Sequence, residues 1–189
     1  MVRESPHVVT STSSYSRACE TCGFELWLPI VGLSVSDLGL YSDIRFPGRC
    51  IITLREHYDH IDQVQGMEMV AFMEDIRFAV DAIRRTTGCE RVNVAILGNE
   101  EKHVHAHLVP RFPQNEPKPN KAPWEDTRVK GQLPAAEEDA LINGIRTTID
   151  SLMRSSFVAP AHYVSRRREY SVPPPSPTLF DLLSDDERL

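Results

Sequence analysis

His103-Val104-His105-Ala106-His107-Leu108-Val109 sets histidines at alternate positions of one short run. On a β-strand, where the side-chain period is two, the imidazoles line one face while Val104, Ala106 and Leu108 line the other. The apolar row supplies core and leaves the imidazole row free for chemistry. Same-face neighbours on a strand sit roughly 6.5–7 Å apart, a spacing suited to successive groups of an extended ligand such as a polyphosphate. A surface histidine ladder of the affinity-tag kind is the competing explanation. A tag would not interleave small and branched apolar residues at strand period, nor close with Pro110-Arg111.

Working outward, Arg91 to Leu97 alternates as a strand and joins the histidine strand, Lys102 to Val109, through a short turn containing Gly98. Leu38 to Ile44 and Cys50 to Leu54 form a hairpin about Arg45-Phe46-Pro47-Gly48. Phe24 to Ile30 cluster around Trp27, followed by a turn over Gly32 and Ser34 to Asp37. From Asp62 to Arg85, Val64, Met67, Val70, Met73, Ile76, Val80 and Ile83 recur at helical spacing. They predict an amphipathic helix with this stripe in the core, stopped by Thr87-Gly88. Past Arg111 come Pro113, Pro117, Pro119, Pro123 and Pro134, an irregular crossing with Trp124 as its anchor. Ala135 to Ser155 reads as a second helix, with Glu137, Glu138 and Asp139 at its positive end.

The 189 residues, 21.4 kDa, suffice for one domain with extensions. Residues 1–15 read as a flexible arm, 16–155 as the domain, and 156–189 as an extension. That extension is partly disordered or carries a short apolar peptide, Thr178 to Leu183, that docks on the fold or a partner. The net charge of −6 and scattered basic residues exclude general nucleic-acid binding, Arg166-Arg167-Arg168 being one short solvated run. No apolar stretch reaches the roughly 18 residues of a membrane span, and the first fifteen residues lack a secretion signal's apolar middle. A cytoplasmic protein with reduced thiols is expected. Cys50 and Cys89 then read as small buried apolar residues, while Cys19-Glu20-Thr21-Cys22 has the gap that brings two thiolates to one tetrahedral ion. A redox Cys-x-x-Cys is the alternative, without the βαβ context such motifs keep.

The histidine run, with Leu97-Gly98-Asn99 before it, Pro110-Arg111 after it, Phe46-Pro47-Gly48 upstream and Pro123-Trp124 downstream, resembles the histidine triad (HIT) superfamily of nucleotide hydrolases and transferases, in its bacterial branch. The resemblance spans about residues 19 to 150. It implies an α+β fold: an antiparallel sheet of about five strands with a long helix across it and a C-terminal helical extension, pairing as a homodimer. It also implies cleavage of nucleoside polyphosphates or phosphoramidates through a nucleotidyl adduct on His105, with His107 bonding phosphate oxygens and assisting the leaving group. Neutral imidazole suits that role, being unprotonated near neutral pH yet easily switched.

By the same resemblance Asp43 accepts ribose hydroxyls, Asn99 donates to phosphate, and Cys19, Cys22, His57 and His103 close a structural Zn²⁺ site, with His60 competing for the place of His57. No organic cofactor is implied. Two departures stand out. Where many members carry a further histidine after the Pro-Gly of the hairpin, this chain has Arg49, which either contacts phosphate or faces solvent. The segment from Asn99 to His103 is short and holds Glu100 and Glu101, which should turn away from a polyphosphate. Two other functions compete: a phosphorylase or nucleotidylyltransferase using an acceptor other than water, and a nucleotide-binding adaptor with little turnover.

Overall fold

The computed structural model describes residues 18–156. The chain forms β1 (Leu28–Gly32), β2 (Ser36–Leu40), β3 (Cys50–Leu54), α1 (Gly66–Thr87), β4 (Arg91–Ala95), β5 (His105–Arg111) and α2 (Ala135–Ser156). The strands make one antiparallel sheet in the order β1-β2-β3-β5-β4. Both helices pack on one face, where Leu38, Ile52, Leu54, Ala106 and Leu108 meet Phe72, Ile76, Ile83, Ile145 and Ile149 in a shared core. This is the expected α+β architecture, with two helices over a five-stranded sheet. The expected arm at 1–15 and the extension at 156–189, apart from Ser156 at the end of α2, lie outside the described residues.

Several boundaries differ from the sequence reading, each for a local reason. The hairpin strands stop at Leu40 and resume at Cys50, because residues 41–49 fold on themselves: Phe46 N–H bonds to Asp43 O and Arg49 N–H to Phe46 O. Gly48 sits there at φ +88, where a β-carbon would meet Thr87 Cγ2 at 2.5 Å, so only glycine fits. The helix begins at Gly66 rather than Asp62, since Ile61–Gln63 form a separate 3₁₀ turn and Val64 and Gln65 are extended. It ends where predicted, on Gly88 at φ +67, whose N–H bonds to Arg84 O.

The helix stripe is also split. Phe72, Ile76, Ala79 and Ile83 form the buried row, whereas Met67, Val70 and Met73 are 81 %, 57 % and 49 % exposed. Two apolar rows coexist, and only one is covered.

The proline-rich crossing hangs on Arg111 rather than on Trp124, which is half exposed. Arg111, at the end of β5, pairs with buried Glu116 and donates to the carbonyls of Pro119 and Lys121 at 3.1 Å. Glu116 also accepts from Phe112 N–H at 2.6 Å. Removing one partner leaves the other charged and buried, so Glu116→Ala is expected to cost about 3–5 kcal/mol, read as a lower urea midpoint. A cost below about 1 kcal/mol would show that the crossing is held elsewhere.

Candidate active site and metal centre

The sheet face opposite the helices carries the histidines. In register, β3 places Thr53 against His105 and Ile51 against His107, and β4 places Ala95 against His107. On the pleated sheet His105 and His107 share the face of Ile51, while Ile52 and Ala106 point to the core, so the two histidines line a cleft of about 520 Å³. That volume lies within the range of about 300–1,000 Å³ usual for small-molecule sites. Arg45, Arg49 and Lys130 supply its positive charge, and Trp27, Tyr41 and Trp124, each partly open to solvent, give it aromatic walls.

His105 is 6 % exposed and held by its surroundings. Its Nδ1 lies 2.7 Å from the carbonyl of His103, which can only accept, so the proton is assigned to Nδ1 and the lone pair to Nε2. Phe24 stacks on the ring at 5.3 Å between centroids and His107 meets it edge-on at 5.1 Å. On His107, burial first, then the neighbouring His105 ring and the Arg49 guanidinium, lower the pKa to about 4.

Arg49 faces inward. Its Nη2 lies 3.5 Å from His107 Nδ1 and its Nη1 donates to Asp43 Oδ2 at 3.0 Å. Asp43, expected to receive a ribose, is 2 % exposed, and its oxygens accept from Arg45 Nε at 2.9 Å, Arg45 Nη2 at 2.7 Å and Arg49. Burial opposes its ionisation, but these bonds, Arg45's foremost, hold its carboxyl below the usual carboxylate range. It holds the arginines in place and is not part of the cleft lining. Asn99 does line the cleft, together with Glu100 and Glu101, which do not turn away.

His103 is not in the strand. It lies in the bend before β5, where its Nε2 donates to Leu54 O at 2.8 Å, leaving the Nδ1 lone pair free. His57 is oriented likewise: Nε2 lies 3.0 Å from Asp59 Oδ1, so Nδ1 again carries the lone pair. The two Nδ1 atoms are 3.4 Å apart, Cys19 Sγ is 3.6 Å from that of His57, and Cys22 Sγ is 3.4 Å from that of His103. All four ligand atoms fall within 4.8 Å of one another. A tetrahedral zinc with Zn–N of about 2.0–2.1 Å and Zn–S of about 2.3 Å separates nitrogens by about 3.3 Å and nitrogen from sulfur by about 3.6 Å. The spacings fit that geometry.

The cysteines come from a tight knuckle in which Gly23 N–H bonds to Cys19 O and Cys19 N–H to Phe24 O, each at 2.8 Å, with Gly23 at φ +76. Burial works against the Cys19 thiolate, but bonds from Cys22, Thr21 and His103 lower its pKa to about 6. His60, the competing ligand, is exposed and outside the cluster.

Known proteins agree with this architecture. No family model matches the sequence. An uncharacterized HIT-like protein of Methanocaldococcus jannaschii is 25 % identical over 73 residues, 36 % of this chain. The match spans 56 % of that relative, so the chain accounts for about half of its length. A histidine triad protein from Bradyrhizobium japonicum superposes with a TM-score of 0.59 at 22 % identity, covering 65 % of this chain and 90 % of that one. The chain has the fold of the histidine triad superfamily.

Two further solved structures share it. The diadenosine triphosphate hydrolase of Plasmodium falciparum, solved with cyclomarin A, gives a TM-score of 0.53 at 17 % identity, over 75 % of this chain and 88 % of that one. A zinc-bound histidine triad family protein from Mycobacterium smegmatis gives 0.50 at 14 % identity, over 67 % and 86 %. Within this HIT fold, the residues that sequence reasoning passed over are Arg45, Lys130 and Phe24. Phe24 stacks on His103 at 5.2 Å as well as on His105, bridging the cysteine cluster and the cleft. Its place directly after the Cys22-Gly23 knuckle was the signal available.

Proposed function

We propose that this protein is a nucleotide hydrolase or nucleotidyl transferase that works through a nucleotidyl-His105 intermediate. One observation carries the reading: the Nδ1 proton of His105 is committed to the His103 carbonyl, which presents the Nε2 lone pair at a cleft with cationic and aromatic walls. That lone pair attacks the α-phosphorus, and the bond to the leaving group breaks with its electron pair on that group. Water or another acceptor then attacks phosphorus and releases its proton to solvent, and the N–P pair returns to His105 Nε2. His107, with Nδ1 facing Arg49, offers Nε2–H to a non-bridging oxygen, and Arg45 and Lys130 supply charge. The hydrolase known from Plasmodium falciparum supports a nucleotide substrate.

Cys19, Cys22, His57 and His103 would hold a structural Zn²⁺, on the strength of their spacing and of the zinc-bound relative. When bound, the ion supplies cross-linking and no step of the reaction. Such ligation needs reduced thiols, in keeping with a cytoplasmic setting. The uncovered row of Met67, Val70 and Met73 is the face through which we propose two copies pair; sedimentation equilibrium should give a dimer mass in the parent and a monomer mass in Val70→Glu.

The functional test is to mix the protein with diadenosine triphosphate, quench in base, where phosphohistidine survives, and map the mass increment. An adenylyl group on His105 is expected. Nucleotide binding with neither adduct nor turnover would instead make the protein an adaptor.

A further inference from the structure

Arg49 closes the β2–β3 loop and stands beside His107. It is fixed from several sides: Nη1 donates to Asp43 at 3.0 Å, the guanidinium carbon lies 4.1 Å from the Tyr41 ring centroid, and Nη2 is 3.5 Å from His107 Nδ1. Its Nε is buried with no partner among the described residues, an unfavourable placement that packing alone does not explain. A guanidinium is always charged and only donates. The ring nitrogen it faces must therefore accept, because a protonated Nδ1 would set N–H against N–H and two positive charges side by side.

We propose that Arg49 fixes His107 as a neutral hydrogen-bond donor and so restricts the cleft to substrates whose leaving group departs as an oxyanion, namely phosphoanhydrides of nucleotides rather than phosphoramidates. The inference rests on the nucleotidyl-transfer reading above and names the bond it acts on.

The chemistry separates the two bonds. With either substrate the His105 Nε2 lone pair forms the N–P bond. In an anhydride the P–O bond breaks with its pair on oxygen, and the departing phosphate is stable as an anion. In an amidate the pair would fall on nitrogen, which needs a proton as the bond breaks. Imidazolium can give one; neutral imidazole, whose loss of a proton makes an imidazolate, cannot. Burial, His105 and Arg49 all disfavour the imidazolium at His107. Arg45 and Lys130, which also line the cleft, act in the same direction, whereas Glu25, Glu100 and Glu101 act against it.

The test compares kcat/KM for diadenosine triphosphate and adenosine 5′-phosphoramidate in the parent, Arg49→Gln and Arg49→Lys, together with NMR titration of the His107 ring in the parent. The parent is expected to favour the anhydride at least about 100-fold. Arg49→Gln should narrow that preference about tenfold, and Arg49→Lys, which keeps the charge, should restore most of it. The His107 ring should remain neutral down to about pH 5, consistent with its lowered pKa. Equal cleavage of both substrates through a His105 adduct, or a His107 that titrates near its ordinary value, would overturn the inference and leave the nucleotidyl-transfer reading standing. Absence of any His105 adduct would remove that reading, and the inference with it.

Discussion

His105→Asn is expected to lower turnover by about 10⁴-fold or more while leaving nucleotide affinity within a few-fold, as measured by single-turnover kinetics and calorimetry. Asparagine loses the ring stack with Phe24 but retains an amide donor that can reach the His103 carbonyl, so the β5 backbone keeps that support. It has no basic lone pair to place at Nε2, so the covalent step has no nucleophile. Removing His107 is a different loss: a positioned donor is worth about 10²–10⁴ in rate, and attack at phosphorus is still possible without it. The order of effects therefore distinguishes a covalent route from direct attack by water. Equal losses at the two positions, or turnover that persists in His105→Asn, would exclude the adduct.

The alternating run told correctly which side of the sheet His105 and His107 occupy, because alternation reports faces. It did not tell where pairing begins. His103 leaves the ladder since its ring must reach Leu54 O on one side and the Cys19–Cys22 knuckle on the other, and both partners are distant in sequence. Helical spacing in Met67, Val70 and Met73 predicts core for a related reason: periodicity finds an apolar row without saying what covers it. The chemistry of Asp43 was the least legible. An acid beside a turn is free to meet a sugar until two arginines, two and six residues further on, fold back and take both oxygens. The Cys₂His₂ set was legible through the resemblance, with only His57 and His60 left to be separated by coordinates.

Stripping the proposed zinc is expected to destabilise the protein and to slow it together. At free zinc about 1,000-fold above its dissociation constant, linkage contributes about 4 kcal/mol, which for a domain of this size corresponds to roughly 10–20 °C in Tm. The cysteine knuckle supplies two of the four cluster side chains and leads directly into Phe24, so loss of the ion loosens that segment. Phe24 then leaves the His103 and His105 rings, and the nucleophile loses its orientation. Cys19→Ser should reproduce both effects. Asp59→Ala, which removes the acceptor that orients His57, should weaken zinc about 10–100-fold. Cys89→Ala, at a buried cysteine outside the cluster, should keep the metal. Acid should release zinc, since the thiols must be deprotonated to bind it. Metal analysis with thermal unfolding decides the matter: below about half an equivalent of zinc, unchanged by Cys19→Ser, the four side chains would be hydrogen-bonding to one another and not to an ion.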